Sequence, residues 1–277
     1  MLRVLRTGWH RLSTRPETAE ATLSKAGLFL SHLASISRLF VMTLYWAFVA
    51  PWRERRAGFD RRSVVRFMDE TGVQSVPIVI LIAVLVGIIL VLQTAYQLQR
   101  YGQVHLVAGL VAVSVSRELG PLLTAILITG RVGAAFTAEL GTMKVSEEIL
   151  ALEVMAVHPV GFLVAPRFLA LVFMLPCLTI VADAAGLLGG FATGTMVYQI
   201  SPASYIDTTL RWLMFRDVLS GLIKSVVFAV IITMVGCYRA LTVEGGPEGV
   251  GHATMGSVVT AIVLIILADG IFTALLL

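Results

Sequence analysis

VPIVILIAVLVGIILVLQTAYQL, residues 76–98, contains no charged side chain. An apolar helix of about twenty residues, rising 1.5 Å per residue, crosses the roughly 30 Å of bilayer hydrocarbon. The stretch therefore reads as a transmembrane helix, and the whole chain agrees with it. Of 277 residues, 57% are hydrophobic and 14% charged, against roughly 45–50% and 25% in soluble domains. Mean hydropathy is +0.89. This composition excludes a water-soluble globule and makes an all-α, multi-pass membrane protein the expected class.

Upstream of that helix, residues 1–75 form a basic segment. Residues 1–66 hold 12 of the 21 Lys and Arg side chains. A basic flank ahead of the first strong span marks the cytoplasmic side. Anionic lipid beside such a block attracts it as nucleic acid would, so no nucleic-acid partner is expected. Leu2, Leu5, Trp9 and Leu12 recur at three- and four-residue intervals between Arg residues. That pattern suits an amphipathic helix on the membrane surface, with a disordered tail as the alternative. No apolar core follows the first Arg residues, so a signal peptide is not expected. Residues 26–50 are apolar but interrupted by Ser31, His32, Ser35, Ser37 and Arg38, and Tyr45, Trp46 and Trp52 close the segment. Aromatic residues of this kind favour the headgroup layer, so the expectation is an interfacial or shallowly inserted helix. RERRAGFDRRSVVRFMDETG then reads as a cytoplasmic linker with a short helix.

Downstream, residues 76–277 carry four further apolar stretches, at about 119–140, 162–198, 218–238 and 257–277. Pro121 is expected to break or kink the helix ahead of it. Residues 162–198 are too many for one straight span and must tilt, kink or project from the bilayer. Gly186, Gly190 and Gly194 form overlapping GxxxG patterns, which permit close helix packing. Residues 241–256, with the run GGPEGVGHATMG, read as a glycine-rich loop. Residues 142–159, TMKVSEEILALEVMAVHP, are too charged to span. Val145, Ile149, Leu152 and Met155 or Ala156 recur at helical spacing, so an amphipathic cytoplasmic helix is expected there. Five spans from a cytoplasmic N-terminus place the C-terminus on the opposite side.

The charges singled out in and just before these stretches are Arg117, Glu118, Arg131, Glu139, Asp183, Lys224 and Asp269. Each costs about 2.5–3.5 kcal/mol at mid-span on insertion scales. Such groups pair, face a cavity or reach for the boundary, and pairing that only locks helices together would account for part of the set. Arg117 and Arg131 are 14 residues apart, near four turns of regular helix, with Pro121 between them. The planar guanidinium fork matches phosphate, so a basic stripe suits an anionic headgroup. Cys177 and Cys237 lie in apolar runs and read as small buried residues. The chain contains no GxxxxGK[ST], HExxH or GxSxG motif, and its five His residues lack ligand spacing. Neither an enzyme nor a resident metal or cofactor is expected.

The run SRELGPLLTAILITGRVGAAFTAELGTMKVSEEILALEVMAVHPV, residues 116–160, resembles the MlaE/YrbE permease family, as do PRFLAL, LIKSVVFA, GVGHATMGSVV and FTALLL. These are the transmembrane subunits of ABC-type lipid transporters that work with MCE proteins. The resemblance implies a homodimeric permease of the bacterial inner membrane, with its C-terminus in the periplasm. Its partners would be ABC ATPase subunits that bind the ATP and Mg, often a small STAS-domain protein, and an MCE hexamer. The cargo would be phospholipid, in support of outer-membrane lipid asymmetry. Arg117 and Glu118 match positions near the family's lipid cavity. Lys224 and Asp269 match charged positions of the last two spans, and Arg131 is a further cavity candidate. The segment about 142–159 corresponds to the coupling helix that docks on the ATPase, with Glu147, Glu148, Leu152, Glu153, Met155, His158 and Pro159 as its candidate contacts. Pro247 departs from the family pattern, and the N-terminal extension is longer than in compact members. A secondary transporter that uses the buried charges as an ion or proton relay is the alternative, and a scaffold without transport is a third class.

Overall fold

In hydrocarbon a backbone satisfies its polar groups within the same segment, which favours helix wherever the chain is apolar. The computed structural model describes residues 25–49 and 61–276. Among these, every regular element is helical. The amphipathic pattern at Leu2–Leu12 and the aromatic Trp52 lie outside the described residues.

Helix α1 covers Lys25–Leu44 and continues through a π-helical turn at Tyr45–Val49; α2 covers Arg61–Thr71 and α3 covers Val76–Gln99. A long run follows: α4 (Val107–Ser114), a π turn (Val115–Leu119), α5 (Gly120–Ile128), a second π turn (Thr129–Gly133) and α6 (Ala134–Val145). Short α7 is Glu148–Val154. A π turn at Val160–Val164 leads into α8 (Ala165–Met196), and α9 (Pro202–Trp212), α10 (Phe215–Leu241) and α11 (Gly246–Leu276) complete the order. Five runs are long and apolar enough to cross a membrane: Arg62–Gln99, Val104–Val145, Val160–Met196, Phe215–Leu241 and Gly246–Leu275. The shorter apolar helix at the N-terminal end is Ala34–Phe48. The fold is thus the all-α membrane architecture expected, with a shorter apolar helix ahead of five runs long enough to span.

Three local expectations are corrected. Pro121 does not break the helical run, which leaves only the kink of that expectation; helical residues continue through it from Val104 to Val145. Proline removes a donor and crowds the carbonyl one turn back. Here the preceding turn is widened, with Gly120 N–H donating to Val115 O five residues back, so the turn absorbs the misfit. The glycine-rich loop is also much shorter than expected, residues 242–245 alone, because α11 starts at Gly246. The chain turns at Gly245 and Gly246, with φ of 87° and 68°, and Pro247 then occupies the first helical turn, where no N–H is required. Lastly, residues 142–159 are not one amphipathic helix. Glu147 and Ala156 adopt left-handed backbone with φ of 61° each, isolating the seven-residue α7. Ile149 of the expected apolar face is buried, whereas Val145 and Met155 are exposed. Pro176 lies inside α8 without ending it.

The described chain forms two compact units, each built from parts of several helices. One holds the described residues up to Phe67, with Thr129–Leu171 and Val230–Val263. Leu39, Met42, Trp46 and Ala47 bury one face of α1 and its π turn there, and Phe40 meets Phe168 edge to face at 6.2 Å. Arg167 is 2% exposed in this unit. Its guanidinium reaches Glu139 Oε2 at 2.9 Å, donates to Leu163 O at 2.7 Å and lies 4.4 Å from the Phe67 ring centre. The aromatic face and the carboxylate together compensate a cation withdrawn from water. The other unit is Met68–Ile128, Val172–Ala229 and the residues from Leu264 onward. Val91, Ala95, Val107, Val111 and Val115 form its apolar cluster. The GxxxG positions serve packing as expected: Gly186 lies against Gly87, and Gly190 and Gly194 against Tyr205.

Candidate functional site

Four of the five predicted cavity residues meet in the second unit, around Lys224. This side chain is fully buried on α10. Its ammonium hydrogen-bonds Glu118 Oε2, donates to Thr273 Oγ1 at 2.8 Å and lies 3.0 Å from Asp269 Oδ1. Thr273 Oγ1 is also 3.2 and 3.1 Å from the two Glu118 oxygens and 2.8 Å from Asp269 O. One cation is therefore held by two carboxylates and a hydroxyl from two other helical runs. Arg117 extends the network, with Nε 3.9 Å from Glu118 Oε1 and a terminal nitrogen 3.9 Å from Asp217 Oδ1. Across Arg117, Lys224, Glu118, Asp269 and Asp217, three negative charges face two positive ones. Burial in a weakly polar surrounding strengthens each attraction.

Local sequence produces this convergence. Glu118 and Arg117 sit in the π turn Val115–Leu119. Turns of that kind carry an extra residue and are frequent at functional sites. Helix α10 packs onto the same turn at Gly221, where a Cβ would lie 2.3 Å from Ser116 O and 3.0 Å from Pro121 Cγ. Only a residue without a side chain permits that approach, and it brings Lys224, one turn further on, to Glu118. Asp269 and Thr273 are four apart and so share a face of α11.

The remaining intramembrane charges go elsewhere. Arg131 lies in the first unit, exposed, within the π turn Thr129–Gly133. With two π turns in this run, the four-turn arithmetic for Arg117 and Arg131 does not apply. Glu139 pairs with Arg167. Asp183 is 7% exposed and packs on Gly120, and its Oδ1 has no hydrogen-bond partner among the described residues. Asp217, Thr273 and Arg167 escaped the sequence reading. Asp217 stands seven residues before Lys224 and Thr273 four after Asp269, so helical spacing alone could have flagged both.

The candidate coupling contacts lie in the first unit. Glu147 and Glu148 are exposed, and Glu148 Oε1 accepts from Ser146 Oγ at 2.9 Å. Leu152 and Glu153 are half-buried and Met155 is 65% exposed. Pro159 is buried, and His158 stacks on Trp46 with ring centres 5.0 Å apart. Burial lowers the His158 pKa from 6.5 to about 4. The unfolded chain then binds more protons than the folded one between about pH 6.5 and 4. Stability is expected to fall as pH drops through that window, with a slope of at most about 1.4 kcal/mol per pH unit from this group. Thermal unfolding across pH 4–7 should show that slope, and His158→Gln should flatten it.

A membrane bundle with a buried cation bound by two carboxylates fits several transport folds, so likeness to known proteins decides among them. The model of the family described as Permease MlaE matches residues 64–275. The chain belongs to the MlaE permease family. A probable ABC transporter permease protein of Synechocystis is 38% identical over 210 residues, 76% of this chain and 80% of the relative. The intermembrane phospholipid transport system permease protein MlaE of Haemophilus influenzae is 37% identical over 216 residues, 77% and 82% of the two chains. The chloroplastic protein TRIGALACTOSYLDIACYLGLYCEROL 1 of Arabidopsis thaliana is 35% identical over 213 residues, 77% of this chain and 61% of that one. The MlaE match contains the whole Lys224 network and the residues from Glu147 to Pro159, but begins after α1.

Proposed function

We propose that this chain is the membrane subunit of an ABC-type transporter that moves phospholipid between the bacterial inner membrane and a periplasmic MCE protein. The observation that carries this reading is the Lys224 network with Arg117 at its edge. It fixes an anion-seeking guanidinium at the rim of an apolar bundle, where a lipid can present its phosphate and leave its tails in hydrocarbon. The kinship with the Haemophilus influenzae phospholipid permease supports the same cargo. Two copies would enclose the lipid path. Partner ATPases would bind ATP and Mg and act through Glu147–Pro159, while a STAS-domain protein would attach to those ATPases. The N-terminus would be cytoplasmic and the C-terminus periplasmic.

The test is reconstitution of the permease with its ATPase and MCE partners in phospholipid vesicles, scored by lipid transfer and ATP hydrolysis together. ATP-dependent transfer is expected, and transfer by this chain alone, driven by an ion gradient, would overturn the reading in favour of a relay. The combined charge reversal Glu147→Lys, Glu148→Lys and Glu153→Lys is expected to lower transfer at least tenfold, through lost assembly or uncoupled hydrolysis. Unchanged assembly and transfer would remove the coupling role from this segment.

A further inference from the structure

Residues 140–166 form an excursion between Glu139 on α6 and Arg167 on α8, and they contain the segment Glu147–Pro159. The Arg167 guanidinium reaches Glu139 Oε2 at 2.9 Å, so it joins the two arms of the excursion at their base. We infer that Arg167 is a positioning residue that closes this neck, so that the end of α6 and the start of α8 move as one body when a partner acts on α7. The inference rests on the coupling role proposed above and names the contact through which that role reaches the membrane helices.

Stability alone does not account for this arginine. Its side chain is 2% exposed, and replacing a buried ion pair by apolar residues of similar volume is often neutral or stabilising. What the guanidinium supplies is reach in several directions from one rigid plane. It donates to Leu163 O, within the π turn Val160–Val164, at 2.7 Å. It also lies 4.4 Å from the ring centre of Phe67 and 5.7 Å from that of Phe136. Those two rings meet edge to face at 6.2 Å. One planar cation thus gathers α2, α6 and the start of α8, which a hydrophobic side chain of the same size would not do.

Each arm is tied separately to its own neighbours. On the upstream arm, Thr137 Oγ1 lies 3.2 Å from Gly236 O and 2.8 Å from Ser257 Oγ, and Lys144 Nζ donates to Leu241 O. These contacts hold α6 to α10 and α11. On the downstream arm, His158 stacks on Trp46, and a Cβ at Gly161 would lie 2.6 Å from Trp46 Cε3. That arm is therefore held to the π turn after α1. Between the arms, α7 is set off by left-handed backbone at Glu147 and Ala156, so the excursion is not one continuous rod. Without a tie across the neck, the arms would follow different neighbours and a push on α7 would spread them.

The experiment uses the full permease reconstituted with its ATPase and MCE partners in phospholipid vesicles, and reads lipid transferred per ATP hydrolysed. In Arg167→Met the stranded Glu139 side chain is 47% exposed and reaches water, so folding and assembly are expected to persist. Losing a charge-assisted hydrogen bond shifts the balance between closed and open neck by about tenfold or more. Transfer per ATP should fall by that factor while hydrolysis is retained. Adding Glu139→Gln removes the stranded charge and should give the same loss, so it decides the question if Arg167→Met alone fails to fold. Unchanged transfer per ATP, a fall of transfer and hydrolysis in proportion, or failure of both variants to fold would each overturn the positioning role. The charge reversal at Glu147, Glu148 and Glu153 judges the coupling reading separately. If it lowers transfer while Arg167→Met does not, only the neck assignment fails; if neither lowers transfer, both fail.

Discussion

Lys224→Met is expected to destabilise the folded permease by about 3 kcal/mol or more and to abolish lipid transfer. The substitution keeps an unbranched side chain of similar length in a fully buried position. It leaves Glu118 and Asp269, with side-chain exposures of 29% and 15%, facing each other with no cation between them. Removing one partner of a buried ion pair typically costs 3–5 kcal/mol, because the stranded charge is desolvated without compensation. Partial exposure of the two carboxylates places the effect near the lower end. The check is thermal unfolding in detergent, followed by size-exclusion chromatography. Adding Glu118→Gln and Asp269→Asn to Lys224→Met should recover most of the stability, since neutral amides do not repel. Transfer should stay low in that triple variant if the network also positions Arg117. A Lys224→Met protein as stable as wild type would show that the cluster holds nothing together.

Gly221→Val is expected to be the second most damaging change. A Cβ at this position would already sit 2.3 Å from Ser116 O. That atom belongs to the backbone of a π turn and cannot swing aside as a flexible side chain would. Two further methyl groups force α10 away from the turn, and overpacking of this kind costs about 1–3 kcal/mol or more. Displacing α10 also withdraws Lys224 from Glu118, so transfer should fall further than steric strain alone implies. Gly251→Ala is the control. A Cβ there meets nothing within 4 Å, and replacing a mid-helix glycine by alanine usually stabilises by roughly 0.5–1 kcal/mol. Thermal unfolding should separate the two, with Gly221→Val lowered and Gly251→Ala unchanged or raised. Equal effects would discount the close approach at Gly221.

Much of the molecule was legible in the chain itself. Residues 76–98 read as a span because a helix satisfies the backbone of a single uncharged segment in hydrocarbon. Five spans follow from the same rule, and the shorter apolar helix before them follows from its interrupted apolar pattern. The run from Ser116 to Val160 resembles the family whose model the chain matches. Helix ends were less legible, for physical reasons. Pro121 and the glycine-rich start of α11 are read as breaks by propensity, yet a widened turn accommodates one and a first-turn position the other. Residues 142–159 have helical periodicity, but periodicity does not reveal that Glu147 and Ala156 enter left-handed backbone.

The sequence by itself determined that Glu139, Asp183, Lys224 and Asp269 enter apolar stretches, that Arg117 and Glu118 are adjacent, and that the chain belongs to this permease family. Only the tertiary structure decided which charges meet. Glu118, Lys224 and Asp269 are separated by more than a hundred residues from first to last and converge because Gly221 lets α10 close onto a π turn. Glu139 finds Arg167, and Asp183 packs against Gly120 instead of joining the network. Charge identity is local and can be read from composition, whereas pairing depends on helix register and on approaches of a few ångströms, which the linear order of residues does not encode.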